Sequence, residues 1–207
     1  MRGLFAPFAA LLSAACSVVG VSDTPEPEYS VVERLGEAVE IRRYAPRVAV
    51  EARMPEGGRN AAFGRLFEYI SGANDGGGEI AMTTPVATDE GAEIAMTAPV
   101  ATDAAGPGGG YAMRFFLPEQ YDAETAPRPT DDRLRIVPYP EQTLAVIRFS
   151  GLRDESNIAE HRERLMAALE GSGWRPAGPA ESWFYDPPWT LPPMRRNEVA
   201  IPVARAG

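Results

Sequence analysis

The sequence predicts an α+β fold: a distorted antiparallel β-barrel or curled sheet of two pseudo-repeats, each strand-turn-strand-helix, flanked by the two helices. Three observations support this prediction. Two segments of alternating apolar residues each contain a Tyr/Pro turn, and an amphipathic helix follows each of them. Twenty glycines and twenty prolines indicate many turns and short strands. The 207 residues, 44% of them hydrophobic, suffice for one domain with its own core.

The first pseudo-repeat is predicted from its strand patterns and one helix. Strands with one buried face are expected at residues 29–35, 37–44 and 47–53. Ala45-Pro46 predicts a hairpin turn between the last two. The helix is predicted to begin at Asn60 as its N-cap and to end at Ser71-Gly72. Its apolar stripe comprises Phe63, Leu66, Phe67 and Ile70.

The second pseudo-repeat has the same order. Strands are expected at residues 111–117, 134–137 and 143–149, with a second hairpin at Pro138-Tyr139-Pro140. A second helix follows Gly151, and Asn157 and Glu160 have the spacing of a capping box. Its stripe comprises Ile158, Leu165 and Leu169. Residues 183–185 and 198–203 are predicted to close the chain as strands, on either side of a proline-rich crossing.

The N-terminus is typical of an export signal. Arg2 precedes an apolar stretch, Leu4 to Ala15, that is too short to span a bilayer and ends in small residues. Cleavage there would make Cys16, the single cysteine, the new N-terminus. The pattern fits either a lipoprotein anchored through Cys16 or a simple signal with an incidental cysteine. We therefore predict a signal peptide at 1–15, a Pro/acid-rich tether at 16–28, a domain at 29–205, and a location in the periplasm or cell envelope.

The composition excludes several function classes. The net charge of −9 argues against a nucleic-acid partner, because phosphate binding needs a basic face. The chain has no Gly-x-Ser-x-Gly turn to present a nucleophile and no His/Cys cluster for zinc. The glycine-rich stretch at 106–110 lacks the Lys-Ser/Thr of a phosphate-binding loop. We expect a monomer without catalytic residues.

The single histidine, His161, borders the apolar stripe of the second helix. A histidine at such an edge is expected to pack against the sheet or to form a hydrogen bond at its margin, and the alternative is a metal ligand. The more informative residues are aromatic. Together with the two phenylalanines of the first helix, Trp183, Tyr185 and Trp189 are expected either to belong to the core or to line a groove for a planar apolar ligand, with Arg195 and Arg196 as cationic groups at its rim.

Several segments resemble the SOUL haem-binding protein family. They are, in order, YSVVERLGEAVEIRRYAPRVAVEA, AFGRLFEYISGAN, IAMTAPV, MRFFLP and YDPPWTLPPMRRNEVAIPV, and they cover Tyr29 to Val203. The resemblance implies a barrel of two duplicated halves with two helices outside. It also implies that haem or a related tetrapyrrole binds in an apolar groove beside the first helix.

The resemblance also implies which residues line this groove. They are Asn60, Phe63 and Phe67 on the helix and Trp189 and Thr190 in the DPPWT turn. Arg195, Arg196 and His161 are weaker candidates that rest on the residue pattern and not on the resemblance. Some members carry a histidine, suggested as an iron ligand, where this chain has Arg43. We therefore expect haem binding without a strong axial ligand. The alternatives are a carrier or sensor of other amphiphilic molecules, and a hydrolase that uses a carboxylate and a tyrosine.

One segment is duplicated. Residues Glu79 to Thr88 recur as Glu93 to Thr102 with one change, Thr84 to Ala98. Because each copy contains a proline, each is predicted to be at most an edge strand or a strand that ends at the proline. Either both copies form a hairpin, or one keeps the family position and the other bulges out. The methionines of the copies, Met82 and Met96, are expected to pack rather than to bind iron.

Overall fold

The computed structural model describes residues 24–53, 58–89 and 112–207. Within these ranges lie two α-helices, α1 (Gly58–Ile70) and α2 (Glu155–Leu169), and a 3-10 helix at Pro192–Met194. The strands are β1 (Tyr29–Leu35), β2 (Val39–Tyr44), β3 (Arg47–Arg53), β4 (Val86–Asp89), β5 (Ala112–Phe116), β6 (Leu134–Tyr139), β7 (Gln142–Phe149), β8 (Trp174–Pro176), β9 (Glu181–Phe184) and β10 (Asn197–Arg205). No helix in the described part of the chain has the length and apolar content that crossing a bilayer requires.

The strands form one curled antiparallel sheet in the order β1-β2-β7-β10-β9-β4-β5-β3-β6, with β8 paired to β10. This confirms the predicted α+β class. The strands of the first half, β2, β3, β4 and β5, correspond in turn to β6, β7, β9 and β10 of the second half. When every strand from β2 to β6 is exchanged for its counterpart, the same order results, read from the other end. This symmetry supports the two pseudo-repeats, because α1 follows β3 and α2 follows the corresponding β7.

The two predicted hairpins are wrong. β2 pairs with β7 and β3 pairs with β6, and one register runs through both ladders, so that Tyr44 opposes Gln142 and Arg47 opposes Tyr139. β2–β3 and β6–β7 are therefore two long strands, each interrupted at its proline. Pro46 and Pro140 remove ladder donors at facing positions and bend both strands. The bend carries each long strand from one half of the sheet to the other.

Apolar residues fill three cores. One lies between the sheet and α1, one between the sheet and α2, and the third lines the inner, concave face. β3 contributes to two of them, because Val48 and Val50 face α1 while Ala49 faces inward. A strand covered on both faces is buried almost throughout, which explains why the polar residue Glu51 is also buried, at 1% exposure.

Helix α1 is rotated relative to the prediction. It begins at Gly58, so Asn60 is its third residue rather than its N-cap. The residues buried against the sheet are Ala62, Leu66, Tyr69 and Ile70. Leu66 and Ile70 are thus confirmed as core residues, whereas Phe63 and Phe67 are exposed, at 40% and 50%.

Helix α2 has the predicted buried stripe, Ile158, Leu165 and Leu169, but a different cap. Asp154 is the N-cap, and its carboxylate accepts a hydrogen bond from the Asn157 backbone N–H. Asn157 lies inside the helix, where its side chain donates to the carbonyl of Leu152 at 2.8 Å. The capping-box prediction was therefore wrong by one turn.

The first copy of the duplicated segment is an interior part of the sheet. β4 begins directly after Pro85 and lies between β9 and β5, so the proline bounds the strand without removing a ladder donor, and β4 is not an edge strand. Met82 is 37% exposed rather than packed. The second copy lies outside the described residues, so the hairpin between the copies stays a prediction.

Deleting one period of the repeat should be tolerated. Removal of residues 89–102 places Asp103 directly after Thr88 and so preserves the β4 sequence Val-Ala-Thr-Asp. The segment between β4 and β5 becomes fourteen residues shorter, which lowers the entropic cost of joining the two strands by about 1 kcal/mol. We expect a melting temperature equal to or slightly above that of the parent. A collapse of the melting temperature would show that both copies are structurally required.

The last residues of the predicted tether contact the domain. The Thr84 backbone N–H donates to the Pro25 carbonyl at 2.9 Å. The Glu26 carboxylate accepts two hydrogen bonds from Nη1 of Arg196, at 2.8 and 3.0 Å. The contacts of residues 24–28 with the domain thus include a backbone hydrogen bond and an ion pair.

Candidate functional site

An aromatic face lies on the outer side of α1. Asn60, Phe63 and Phe67 follow one another at i, i+3 and i+7 and so share this side of the helix. The Phe63 and Phe67 rings are almost parallel, with centroids 6.3 Å apart and an interplanar angle of 11°. Phe63 also packs edge-on against the core ring of Phe115, at 5.3 Å. The face is therefore in contact with the core at Phe63 and partly open to solvent at both rings.

The loop before β10 presents a second apolar surface. Trp189, Leu191 and Met194 are 65%, 51% and 47% exposed. Thr190 is 1% exposed, and its carbonyl accepts a hydrogen bond from Nε of Arg195 at 2.8 Å. Arg195 also donates to the Pro188 carbonyl at 2.7 Å, so this arginine holds the loop in shape.

Arg153, which the sequence reasoning missed, is linked to both surfaces by neighbouring charges, Arg59 on α1 and Arg195 in the loop. Its Nη2 donates to the Asp186 carbonyl. Its Nε is buried and has no hydrogen-bond partner among the described residues. Burial lowers the pKa of Arg153 to about 10, with a further contribution from the positive charges of Arg195 and Arg59.

These charges connect the helix to the loop. Beyond the effect of burial, Arg195 and, more weakly, Arg59 lower the pKa of Arg153, and the Asp186 carboxylate raises it, so three arginines and one carboxylate share this region; we call the three arginines the cationic cluster. Arg59 is the second residue of α1, whose first turn contains no acidic residue. The helix dipole adds positive potential there. The cluster therefore suits carboxylate groups on a ligand that covers the adjacent aromatic face.

Arg196 lies elsewhere. Its Nε and Nη2 donate to Glu198 at 3.1 and 3.0 Å, and its guanidinium stacks on the Tyr185 ring at 3.7 Å. With Glu26 as a further partner, this arginine belongs to the inner face and not to the rim of the α1 surface. Trp183 and Tyr185, at 1% and 6% exposure, lie in the inner core, so they do not share a groove with the α1 phenylalanines.

His161 is held by structural contacts. Its Nδ1 donates to the Asn157 carbonyl at 2.7 Å, and its Nε2 accepts from Arg164 at 3.2 Å. The ring stacks on Phe149 with a centroid distance of 4.3 Å. No three His, Cys, Asp or Glu side chains in the described ranges are grouped closely enough to hold a metal ion.

The model of the SOUL heme-binding protein family matches residues 24–202. The chain belongs to this family. Its relatives include "Heme-binding protein 1" from Sus scrofa, 26% identical over 144 residues, with 67% of each chain covered. The protein of the same name from Xenopus laevis is 31% identical over 143 residues, with 65% of each covered.

Solved structures share the fold at low identity. The C-terminal domain of EcmrR aligns with a TM-score of 0.55 at 12% identity, covering 86% of this chain and 99% of that one. A hydrolase from Listeria innocua aligns with a TM-score of 0.51 at 13% identity, covering 88% and 94%. At these identities the likeness concerns the fold alone.

Proposed function

We propose that this SOUL-family domain binds haem or a related tetrapyrrole, without catalysing a reaction, on the outer face of α1. The observation that carries the proposal is the pair of stacked, exposed phenylalanines beside the cationic cluster. A tetrapyrrole with carboxylate side chains has the matching chemistry: a flat apolar ring and anionic groups at one edge. Family membership and the Heme-binding protein 1 relatives support the same ligand class.

The ring would be bound by apolar contact. Burial of ~300 Å² of ligand surface at ~25 cal/mol per Å² supplies roughly 7 kcal/mol, from which association costs subtract several kcal/mol. Phe63 and Phe67 would support the ring on the helix, and Trp189 and the backbone at Thr190 would bound it on the loop. Micromolar affinity is the expected result.

The carboxylates would be bound by the arginines. The unpartnered Nε of Arg153 is a buried donor that a ligand carboxylate could satisfy, so the residues present fit the group. Arg59 and Arg195 would add charge. When bound, haem would supply an iron centre, but the affinity in this proposal comes from the ring and the carboxylates. Metal-free protoporphyrin IX is therefore a ligand of the same site.

Titration of the purified domain with haemin and with protoporphyrin IX tests the proposal. We expect saturable Soret shifts with dissociation constants within about threefold of each other, and about tenfold weaker binding to Phe67→Ala. Met166→Ala is the matched control, because Met166 is 42% exposed on α2 and should leave binding unchanged. The absence of a saturable shift, or equal affinity of Phe67→Ala and the parent, would contradict the proposal.

A hydrolytic function has less support. The tyrosine–carboxylate pair on the inner face, Tyr185 and Glu198, is joined by a 2.7 Å hydrogen bond. However, Glu198 is 0% exposed and its oxygens also accept hydrogen bonds from Arg42 and Arg196. A carboxylate engaged in this way stabilises the fold and is poorly placed to act as a base.

We further propose that the protein is exported to the periplasm or cell envelope, with cleavage after Ala15 and either a free or a lipidated Cys16. These residues lie outside the described ranges, and the proposal stands on the signal-like sequence alone. Intact mass spectrometry of the protein from its own host decides it. A mature mass starting at Cys16, with or without a diacylglycerol increment, supports export, and an uncleaved chain contradicts it.

A further inference from the structure

The inner face of the sheet contains an aromatic box around the guanidinium of Arg47, a half-buried residue. The guanidinium carbon of Arg47 lies 4.2 Å from the ring centroid of Tyr44 and 4.5 Å from that of Phe116. The centroids of Trp183 and Tyr139 lie at 5.4 and 5.6 Å. Four rings within about 6 Å make this a cation–π site. The site is separate from the α1 surface and lies in a different core.

Hydrogen bonds contribute little to holding this guanidinium. Nε and Nη1 of Arg47 are buried and have no hydrogen-bond partner among the described residues. Nη2 approaches Gln142 Oε1 at 3.5 Å, the long limit of a hydrogen bond. Burial lowers the pKa of Arg47, because the guanidinium loses contact with water in this environment. The rings, and not specific acceptors, therefore stabilise the charge.

The surroundings of the box favour a cation electrostatically. Glu181 lies beside the rings, with Oε2 accepting from the Trp183 indole at 2.9 Å and Oε1 from the Tyr139 hydroxyl at 3.3 Å. Its Oε1 also accepts from Nη1 of Arg114 at 3.3 Å, so part of its charge is already paired. Arg47 also borders a groove of about 640 Å³, whose other lining residues include Glu28 and Glu119. The four rings do not line this groove, and Arg47 is the residue that the groove and the box share. A cation in the groove would therefore lie among acidic side chains and reach the rings only where Arg47 moved aside.

We propose that the box is a second binding site of the chain, for a planar organic cation of the guanidinium or amidinium class, and that Arg47 occupies it as a built-in competitor. The four rings accept a flat delocalised cation, as the position of the Arg47 guanidinium itself demonstrates. An external ligand of this class would enter from the acidic groove and displace the Arg47 side chain towards it.

The tether of Arg47 determines how strongly an external cation competes. A group attached to β3 acts at an effective concentration on the order of millimolar, so it suppresses weak external ligands. Removal of the guanidinium should therefore increase affinity for such ligands rather than reduce it. An ordinary core residue predicts the opposite, namely a destabilised protein with no gain in binding.

Isothermal titration with benzamidine tests this inference. We expect Arg47→Met to bind benzamidine at least ~10-fold more tightly than the parent. Arg53→Met, with an exposed arginine of the same strand, should behave like the parent. Addition of Trp183→Leu to Arg47→Met should abolish the gain. Equal affinity of Arg47→Met and Arg53→Met, or a gain that survives Trp183→Leu, would overturn the inference.

Arg47→Lys provides a second test, because it keeps a cation at this position and should destabilise the fold less than Arg47→Met does. Benzamidine should raise its melting temperature more than benzylamine does, since the two compounds share a phenyl ring but benzylamine has a tetrahedral ammonium. Equal shifts with both compounds, or no shift with either, would overturn the inference independently of the Arg47→Met result.

Discussion

Replacement of Glu198 by alanine is expected to lower the free energy of unfolding by about 3–5 kcal/mol. Glu198 is fully buried, and its carboxylate accepts hydrogen bonds from Arg42 at 2.9 Å and from the Tyr185 hydroxyl at 2.7 Å. Arg42 is itself only 4% exposed. Without Glu198 the guanidinium of Arg42 remains buried and loses its main partner. A buried charge left without its partner is what makes breaking such an ion pair destabilising.

Urea unfolding of matched variants measures this effect. Asp131→Ala is the control, because it removes an exposed pair with Arg133 and should change the midpoint little. The double variant Arg42→Met, Glu198→Leu should recover part of the loss, since two apolar side chains replace one buried ion pair, while Tyr185 and Arg196 still lose their acceptor. If Glu198→Ala unfolds at the same urea concentration as Asp131→Ala, the inner-face network does not stabilise the fold.

Replacement of Arg153 by methionine is expected to weaken protoporphyrin IX binding by about 10- to 100-fold, the range for loss of a charge-assisted hydrogen bond. The free energy of unfolding should change little, because loss of the hydrogen bond to the Asp186 carbonyl is offset by removal of a half-buried cation near the charges of Arg195 and Arg59. Arg148→Met, on the exposed side of β7, is the control and should bind like the parent.

The dimethyl ester of protoporphyrin IX isolates the carboxylate contribution. The parent should bind the ester about as weakly as Arg153→Met binds the acid, and Arg153→Met should not distinguish the two ligands strongly. Fluorescence titration in matched detergent measures both. If the parent bound the ester as tightly as the acid, the cationic cluster would not contribute to binding of the carboxylates.

Local patterns predicted part of this fold. The α2 stripe was correct because Ile158, Leu165 and Leu169 have a single buried face at helical spacing. The α1 stripe was half wrong, since the small Ala62 and the polar-tipped Tyr69 face the sheet while two phenylalanines do not. The hydroxyl of Tyr69 donates to the Pro127 carbonyl at 2.7 Å, a contact distant in sequence.

Strand pairing was predicted less well than strand position. Ala45-Pro46 looks like a hairpin turn locally, but the chain continues across the sheet, and the register places Pro46 opposite Pro140 on the partner strand. A single sequence carries no direct signal of which strands pair at such a distance. The register from Tyr44 to Arg47 is a property of two segments that are almost one hundred residues apart.

The candidate site was partly predictable. The resemblance supplied Phe63, Phe67 and Trp189, and the structure leaves all three exposed. Arg153 and Arg47 could not be found, because their neighbours come from distant parts of the chain. The environment of Arg153 combines Arg59 with Asp186 and Arg195, and no short motif encodes that combination.

Paramagnetic broadening by haemin is the most direct test of the proposed location. In a ¹⁵N-labelled sample of the parent, ferric haemin should broaden the backbone amide signals of residues 58–67 and 189–195 most strongly. Zinc protoporphyrin IX should shift the same signals without broadening them. Broadening centred on His161 in α2, or on Trp183 at the inner face, would contradict a tetrapyrrole site on the outer face of α1.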